Sequence, residues 1–255
     1  MRLGNANLVS MPTPLRSLTL AGLTAAAVAT AAPAPAAGAS EKVALLVTGQ
    51  TVLAPQQLEQ LSRDHYAAMQ TALEQDGWRV RIVVAPGGDL RADGALIGDA
   101  VRAESSATDI ALIAHSAGTL SARHYLKAFG GDERVGTYVS MGAPQYGSPG
   151  GCVQPPGGGW DTCPLAPFVT ELNRGDDTPG ATTYVGIADD MADGRLDGGQ
   201  CRVTPIPGVV HTTMTADPRV IDAVRHAVAG RCDGTFVTEA DGSIHVLDTL
   251  FPTLR

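Results

Sequence analysis

Short, continuous apolar runs alternate with amphipathic segments along most of this chain. The runs are KVALLVTG from Lys42, WRVRIVVAP from Trp78, DIALIAHS from Asp109, RVGTYVSMGAP from Arg134, TTYVGIA from Thr182 and CRVTPIPG from Cys201. Helical spacing of apolar residues marks the segments Pro55–Gln75, Asp89–Glu104, Ser121–Phe129, Phe168–Asn173 and Pro218–Ala229. Strands that are apolar throughout are buried on both faces, as in a parallel sheet covered by helices. The sequence therefore predicts an α/β fold with helices on both faces of a mostly parallel sheet of about six strands.

The C-terminal tail breaks this alternation. Residues 234–248, GTFVTEADGSIHVLD, contain two alternating segments around Asp241-Gly242, which predicts a terminal β-hairpin. The chain has 255 residues, of which 44% are hydrophobic, so it is long enough for one large core. We expect residues 40–255 to form a single domain that includes the hairpin.

The N-terminal residues have the three-part layout of a secretory signal. Arg16 precedes an apolar run, Leu18–Ala32, and the small residues Ala37-Gly38-Ala39 follow it. A membrane anchor is the alternative, but the run is shorter than the roughly 20 apolar residues that a spanning helix needs. We expect residues 1–39 to be removed and the protein to be secreted; Met11 is also a plausible start.

The charge of the chain argues against nucleic acid as a partner. The net charge is −8, and it becomes about −10 when residues 1–39, which hold two arginines and no acids, are removed. Phosphate binding requires clustered Lys and Arg, and no basic run is present. We expect a monomer that does not bind nucleic acid.

The four cysteines, Cys152, Cys163, Cys201 and Cys232, all follow residue 39. An even number of cysteines in an exported chain predicts two disulfides, for which three pairings are possible. We favour Cys152 with Cys163, because the Pro/Gly-rich segment between them has little else to hold its shape, and Cys201 with Cys232. Zinc binding is not expected, because there is no Cys-x-x-Cys pair, and we predict neither a metal nor a cofactor.

Three residues with the chemistry of acyl transfer follow predicted strands. Ser116 ends the third strand, the pair Asp189 and Asp190 ends the fifth, and His211 follows the sixth. The carboxyl ends of parallel strands meet at one edge of the sheet, and the order Ser, acid, His is that of an α/β-hydrolase triad. In the motif Ala114-His115-Ser116-Ala117-Gly118, small residues flank the serine, as a sharp strand-to-helix turn requires.

Each of these residues has a predicted role. Ser116 is the candidate nucleophile and His211 the base that takes its proton, and Asp190 is favoured over Asp189 as the acid. The backbone N–H groups of Gln50 and Ala117 are the candidates for an oxyanion hole.

Less specific interpretations of these residues remain open. Ser116 has the alternative of an ordinary helix N-cap, and His211 that of a surface residue. His115 is interpreted as a packing residue beside the turn. Asp193 and Asp197 are weaker candidates for the triad acid. With the Asp189/Asp190 pair they form an acidic cluster, for which calcium binding is an alternative to a solvated loop, although the cluster lacks the EF-hand register.

Five segments carry a resemblance to a known family. LLVTGQ, DIALIAHSAG, VSMGAP, YVGIADDMAD and IPGVVHTTM resemble, in order and spacing, the small lidless secreted bacterial lipases of the α/β-hydrolase superfamily, whose nucleophile motif also begins with alanine. The likeness spans roughly residues 42–229 and implies an α/β-hydrolase fold with Ser116, Asp190 and His211 as the triad, and Gln50 and Ala117 at the oxyanion hole.

The chain departs from that family in three places. Thr48-Gly49 stands where the family usually has His-Gly, and the smallest members lack both the Cys152–Cys163 segment and the C-terminal tail. The resemblance implies a secreted lipase or esterase whose partner is an ester or lipid substrate, namely carboxylic esters of the acylglycerol type. No short helical lid is evident in the sequence, so we expect a solvent-open cleft and at most transient contact with lipid surfaces. The alternatives are an acyltransferase or polyester hydrolase with the same triad, and a non-catalytic binding protein with a hydrolase fold.

Overall fold

The computed structural model describes residues 41–50 and 55–250 of the chain, all of which belong to the unit Ser40–Arg255. The predicted signal segment, residues 1–39, and the candidate start Met11 lie outside the described residues. Within the described part, no helix is both long and apolar enough to cross a membrane.

The apolar runs form one seven-stranded sheet in the order β2-β1-β3-β4-β5-β6-β7. Its strands are β1 (Lys42–Val47), β2 (Arg79–Val83), β3 (Asp109–His115), β4 (Thr137–Met141), β5 (Thr183–Ile187), β6 (Gly198–Val203) and β7 (Thr235–Glu239). Strands β1 to β6 pair in parallel, and only β7 is antiparallel to its neighbour. The predicted α/β fold with a mostly parallel sheet is confirmed.

Six α-helices connect and flank the strands. They are α1 (Pro55–Gln75), α2 (Leu90–Arg102), α3 (Gly118–Ala128), α4 (Pro167–Leu172), α5 (Pro218–Val228) and α6 (Val246–Leu250), and among the described residues there are also four short 3₁₀ turns. Helices α1 to α5 lie where the apolar periodicity predicts them.

Alternate residues of the central strands point into different apolar clusters. In β1, Ala44 and Leu46 belong to a cluster with residues of α1 and α5, whereas Val43, Leu45 and Val47 belong to one with residues of α2 and α3. Both faces of the strand are thus buried, which explains why its sequence is apolar throughout instead of alternating. The polar residues at the ends of the strands are therefore available to form a functional site.

The C-terminal tail differs in part from the prediction. Antiparallel pairing is present, but β7 pairs with β6 rather than with the residues that follow the turn at Asp241-Gly242. Those residues form α6, where the backbone N–H of His245 donates to the Asp248 carboxylate at 3.1 Å. The open edge of β6 gives β7 its partner, and the side chain of Asp248 stabilises a helical turn in the predicted second strand.

Both disulfides have the favoured pairing. Cys152 is bonded to Cys163, and Cys201 to Cys232. The first closes an irregular segment between β4 and α4, which we call the excursion (residues 152–163). The second joins β6 to the segment between α5 and β7.

Candidate active site

Ser116 lies at the turn between β3 and α3. Its φ is +55°, and it is the only non-glycine residue with a positive φ in the described part of the chain. Its backbone N–H donates to the carbonyl of Met141 at 3.0 Å, which ties the turn to the end of β4. A left-handed serine costs on the order of 1–3 kcal/mol and persists only where the surroundings hold it. The neighbouring strand and the helix hold this one.

The small residues around Ser116 are required by close backbone contacts. A Cβ at Gly118 would overlap the carbonyl oxygen of Thr48, and a Cβ at Gly49 would lie 2.8 Å from the Cβ of Ser116. The start of α3 therefore packs directly on the loop after β1. Thr48 fixes that loop, because its hydroxyl donates to the carbonyl of Ala85 at 3.0 Å and accepts from the N–H of the same residue at 2.9 Å.

His211 connects the serine to a carboxylate. Its Nε2 lies 2.8 Å from Ser116 Oγ, and its Nδ1 lies 2.5 Å from Asp189 Oδ2. With the proton on Nδ1, the ring donates to Asp189 and accepts from the serine hydroxyl, as a general base must. Gly142, at φ +55°, lies beneath this pair, and a Cβ there would overlap the Asp189 carboxylate.

The acid beside the histidine is Asp189, and the sequence-based choice of Asp190 is corrected. Asp189 starts a tight turn in which its Oδ1 accepts the N–H groups of Met191 and Ala192 at 2.8 and 2.7 Å, so its other oxygen is directed at the His211 ring. The Asp190 carboxylate instead accepts the backbone N–H of His211 at 2.9 Å. It holds the loop of the histidine, not its ring.

The surroundings of Asp189 keep its carboxylate charged. Burial acts to raise its pKa, but the hydrogen bonds from His211, Met191 and Ala192 outweigh burial and hold the pKa below the ordinary value of 3.8. A carboxylate that stays ionised can hold the imidazole in one orientation and stabilise its protonated form.

His115 contacts His211 in a way that the sequence did not reveal. Its Nε2–H donates to the backbone carbonyl of His211 at 3.0 Å, and the two ring centroids are 4.7 Å apart. Burial, together with the charges of His211 and His65, lowers the pKa of His115 to about 4. His115 is therefore neutral near pH 7 and holds the base through its backbone.

Gln50 and Ala117 both line the cleft at Ser116. Ala117 precedes the first turn of α3, where backbone N–H groups have no intrahelical partner. The side chain of Gln50 lies against the excursion, since a Cβ at Gly159 would be 2.6 Å from Gln50 Nε2. On its other side, a Cβ at Gly87 would be 2.6 Å from Gln50 Cα.

The candidate site opens into a cleft of about 1090 Å³. Its walls are the loop after β4 (residues 142–151), parts of the excursion, the loop after β5 (residues 189–195) and the C-terminal segment at Ile244, Asp248 and Thr249. The sequence does not predict that the C-terminal segment reaches the cleft, because the position of this segment depends on where β7 pairs in the sheet.

The remaining acids of the loop after β5 have separate partners. Asp193 pairs with Arg195 at 2.5 Å, and Asp197 accepts the hydroxyl of Ser243 at 2.7 Å. Among the described residues, no group of three or more His, Cys, Asp or Glu side chains is placed to hold a metal ion.

Solved structures of lipolytic enzymes are similar to this chain in fold. The lipase BlEst2 of Bacillus licheniformis matches in its propeptide form with a TM-score of 0.58 and 13% identity, covering 80% of this chain and 52% of that one. The mature form gives 0.54 and 12%, covering 69% and 87%. A structure of the metagenome-derived lipolytic enzymes LipS and LipT gives 0.50 and 11%, covering 75% and 95%.

The chain has the α/β-hydrolase fold. No protein-family model matches its sequence, and no curated protein is significantly similar to it. At identities this low the neighbours establish the fold alone, and the chemistry depends on the residues of this chain.

Proposed function

We propose that this protein is a serine hydrolase, a lipase or esterase, that cleaves carboxylic esters of the acylglycerol type. The observation that carries the proposal is the unbroken hydrogen-bonded chain from Ser116 through His211 to Asp189, which faces an open cleft. An ordinary N-cap serine would require neither a positive φ nor a histidine–carboxylate pair behind it.

The first half of the reaction forms an acyl-enzyme. Ser116 Oγ attacks the ester carbonyl carbon while His211 Nε2 takes the hydroxyl proton, and Asp189 stabilises the imidazolium that results. The N–H groups of Ala117 and Gln50 are the proposed donors to the oxyanion, each worth about 10²–10³ in rate. The tetrahedral intermediate then expels the alcohol, which receives the proton from His211.

The second half repeats these steps with water. His211 takes a proton from the water while the water oxygen attacks the acyl carbon. The proton returns to Ser116 Oγ when the carboxylic acid product leaves. The large, open cleft supports water as the acceptor, because it gives solvent access to the acyl-enzyme.

We also propose that the protein works as a monomer outside the cytoplasm and touches lipid surfaces only transiently. The two disulfides support an oxidising compartment. Sequencing the N-terminus of protein recovered from the culture medium tests export: a chain that starts at Ser40 supports it, and protein retained in the cells with residue 1 intact contradicts it.

Hydrolysis of p-nitrophenyl esters from acetate to palmitate tests the proposed activity. We expect the wild type to turn over these esters and Ser116→Ala to lose activity by a factor of at least about 10³. Ser105→Ala, at an exposed serine that precedes β3 and so lies at the opposite end of that strand from Ser116, is the matched control and keeps its rate. Unchanged activity in a folded Ser116→Ala protein would refute the proposal, and a wild type inactive on every ester would favour a binding protein.

A further inference from the structure

A second, smaller cavity adjoins the active-site cleft. It has a volume of about 330 Å³ and is lined by Tyr146, Pro164, Leu165, Thr170, Asn173, Ile244 and Val246. Tyr146 and Ile244 also line the cleft that contains Ser116. These two residues therefore form the partition between the two spaces.

Tyr146 is the fixed half of the partition. Its hydroxyl donates to Asp177 at 2.6 Å and accepts the backbone N–H of Asp197 at 2.8 Å. The guanidinium of Arg123 lies 5.6 Å from the centre of its ring. A side chain with a polar partner on each side of its hydroxyl cannot move without breaking buried hydrogen bonds.

Ile244 is the other half of the partition, and only packing holds its side chain in place. Its backbone N–H donates to Asp197 at 3.5 Å, and the hydroxyl of the preceding Ser243 donates to the same carboxylate at 2.7 Å. These bonds fix the backbone at the wall of the cleft, while the side chain, 8% exposed, has no polar anchor. Of the two residues that line both spaces, Ile244 is therefore the one whose side chain can change in size without breaking a buried hydrogen bond.

We propose that Ile244 limits the length of the alkyl chain that the site accepts, by closing the smaller cavity off from the cleft. This inference rests on the proposed esterase function and names the feature of the site that selects among esters. The cavity has the volume of roughly eleven water molecules in the liquid, enough for several methylene groups. Pro164, Leu165 and Val246 give it apolar walls that suit an alkyl chain.

Substitutions of Ile244 in both directions test the proposal. We expect Ile244→Ala to join the cavities and to raise kcat/KM for p-nitrophenyl laurate relative to butyrate by at least about ten-fold, because each methylene newly buried is worth roughly four-fold. Ile244→Phe fills the opening and shifts the ratio towards short chains. Leu247→Ala is the control, since Leu247 is in the same segment, is 62% exposed and lines neither cavity.

The two sides of the ester are tested in separate arms. The p-nitrophenyl esters vary the acyl chain, and a series of alkyl acetates from ethyl to dodecyl varies the alcohol chain. A shift of the length profile in either arm supports the proposal, and the arm that shifts identifies which chain points at Ile244. Thermal unfolding of each variant verifies that it is folded.

Failure of this inference is distinct from failure of the proposed function. If wild type and variants hydrolyse esters with one and the same length profile in both arms, the role of Ile244 is refuted and the esterase function stands. If no protein hydrolyses any ester, the proposed function is refuted first.

Discussion

Asp189 and Asp190 are adjacent in the chain but hold different parts of His211. We expect Asp189→Asn to lower kcat by about 10³–10⁴, because an amide at this position favours the wrong tautomer of the imidazole. Asp190→Asn should cost only about two- to five-fold, because its side-chain oxygen can still accept the backbone N–H of His211. Steady-state kinetics on p-nitrophenyl butyrate provide the comparison, and a greater loss at Asp190 would return the role of triad acid to that residue.

His115 is a positioning residue whose effect on rate can be separated from its packing. We expect His115→Phe, which keeps an aromatic ring but not the hydrogen bond to the His211 carbonyl, to lower kcat roughly ten-fold with little change in KM. His115→Gln, which retains a side-chain N–H donor, should recover part of the loss. A His115→Phe protein with the kcat of the wild type, beside a His115→Gln protein with a lowered kcat, would show that only the ring matters.

The lowered pKa of His115 also predicts how acid destabilises the protein. The pKa is about 4 in the folded chain and 6.5 as its ordinary value, so between these pH values the unfolded chain binds a proton that the folded chain does not. Protonation of His115 therefore leaves the free energy of unfolding unchanged above pH 6.5. It lowers this free energy as the pH drops towards 4, by at most about 3 kcal/mol. We expect the melting temperature of His115→Phe to decline less than that of the wild type between pH 7 and 4; parallel curves would contradict this.

At the scale of elements, the start of α2 contains a carboxylate with the opposite pH dependence. Burial is the main cause that raises the pKa of Asp93 to about 6; the charges of Asp89 and Asp161 add to it, and the bond from the Gly87 N–H opposes it. The folded chain therefore binds the extra proton, and stability falls as the pH rises from about 4 to 6.

Asp93→Asn should remove the loss of stability that accompanies the rise in pH. The amide oxygen can still accept the Gly87 N–H without a charge, so we expect the variant to be more stable than the wild type by about 1–3 kcal/mol at pH 8 and by much less at pH 4. Urea unfolding at the two pH values measures the difference. A variant that is less stable at pH 8 would show that α2 requires the charge.

The sequence predicts the strands, α1 to α5 and the positions of Ser116 and His211, because these depend on local patterns of burial and turn chemistry. It does not resolve Asp189 from Asp190, because both follow β5 and only the turn closed by Met191 and Ala192 decides which carboxylate faces the ring. It also misses Ile244 at the cleft, because that contact depends on β7 pairing with the distant β6. Local sequence patterns do not predict such long-range strand pairing.

At the scale of the whole molecule, we expect both disulfides to stabilise the fold but only one of them to affect activity. Cys201–Cys232 closes a sequence separation of 31 residues and Cys152–Cys163 one of 11. Constraint of the unfolded chain gives values of about 4 and 3 kcal/mol, so removal of either should lower the melting temperature by roughly 10 °C. Only Cys152–Cys163 holds a segment that lines the cleft at Ser116.

We therefore expect the paired Cys→Ala variants to differ in activity at 20 °C, where both remain folded. Loss of Cys152–Cys163 should lower kcat/KM about ten-fold or more, because the excursion lines the cleft and lies against Gln50, the proposed oxyanion residue. Loss of Cys201–Cys232 should leave kcat/KM within about two-fold, since this bond joins β6 to the chain before β7, away from Ser116. Equal losses of activity would show that the disulfides act through the whole fold, and the excursion would then have no separate part in catalysis.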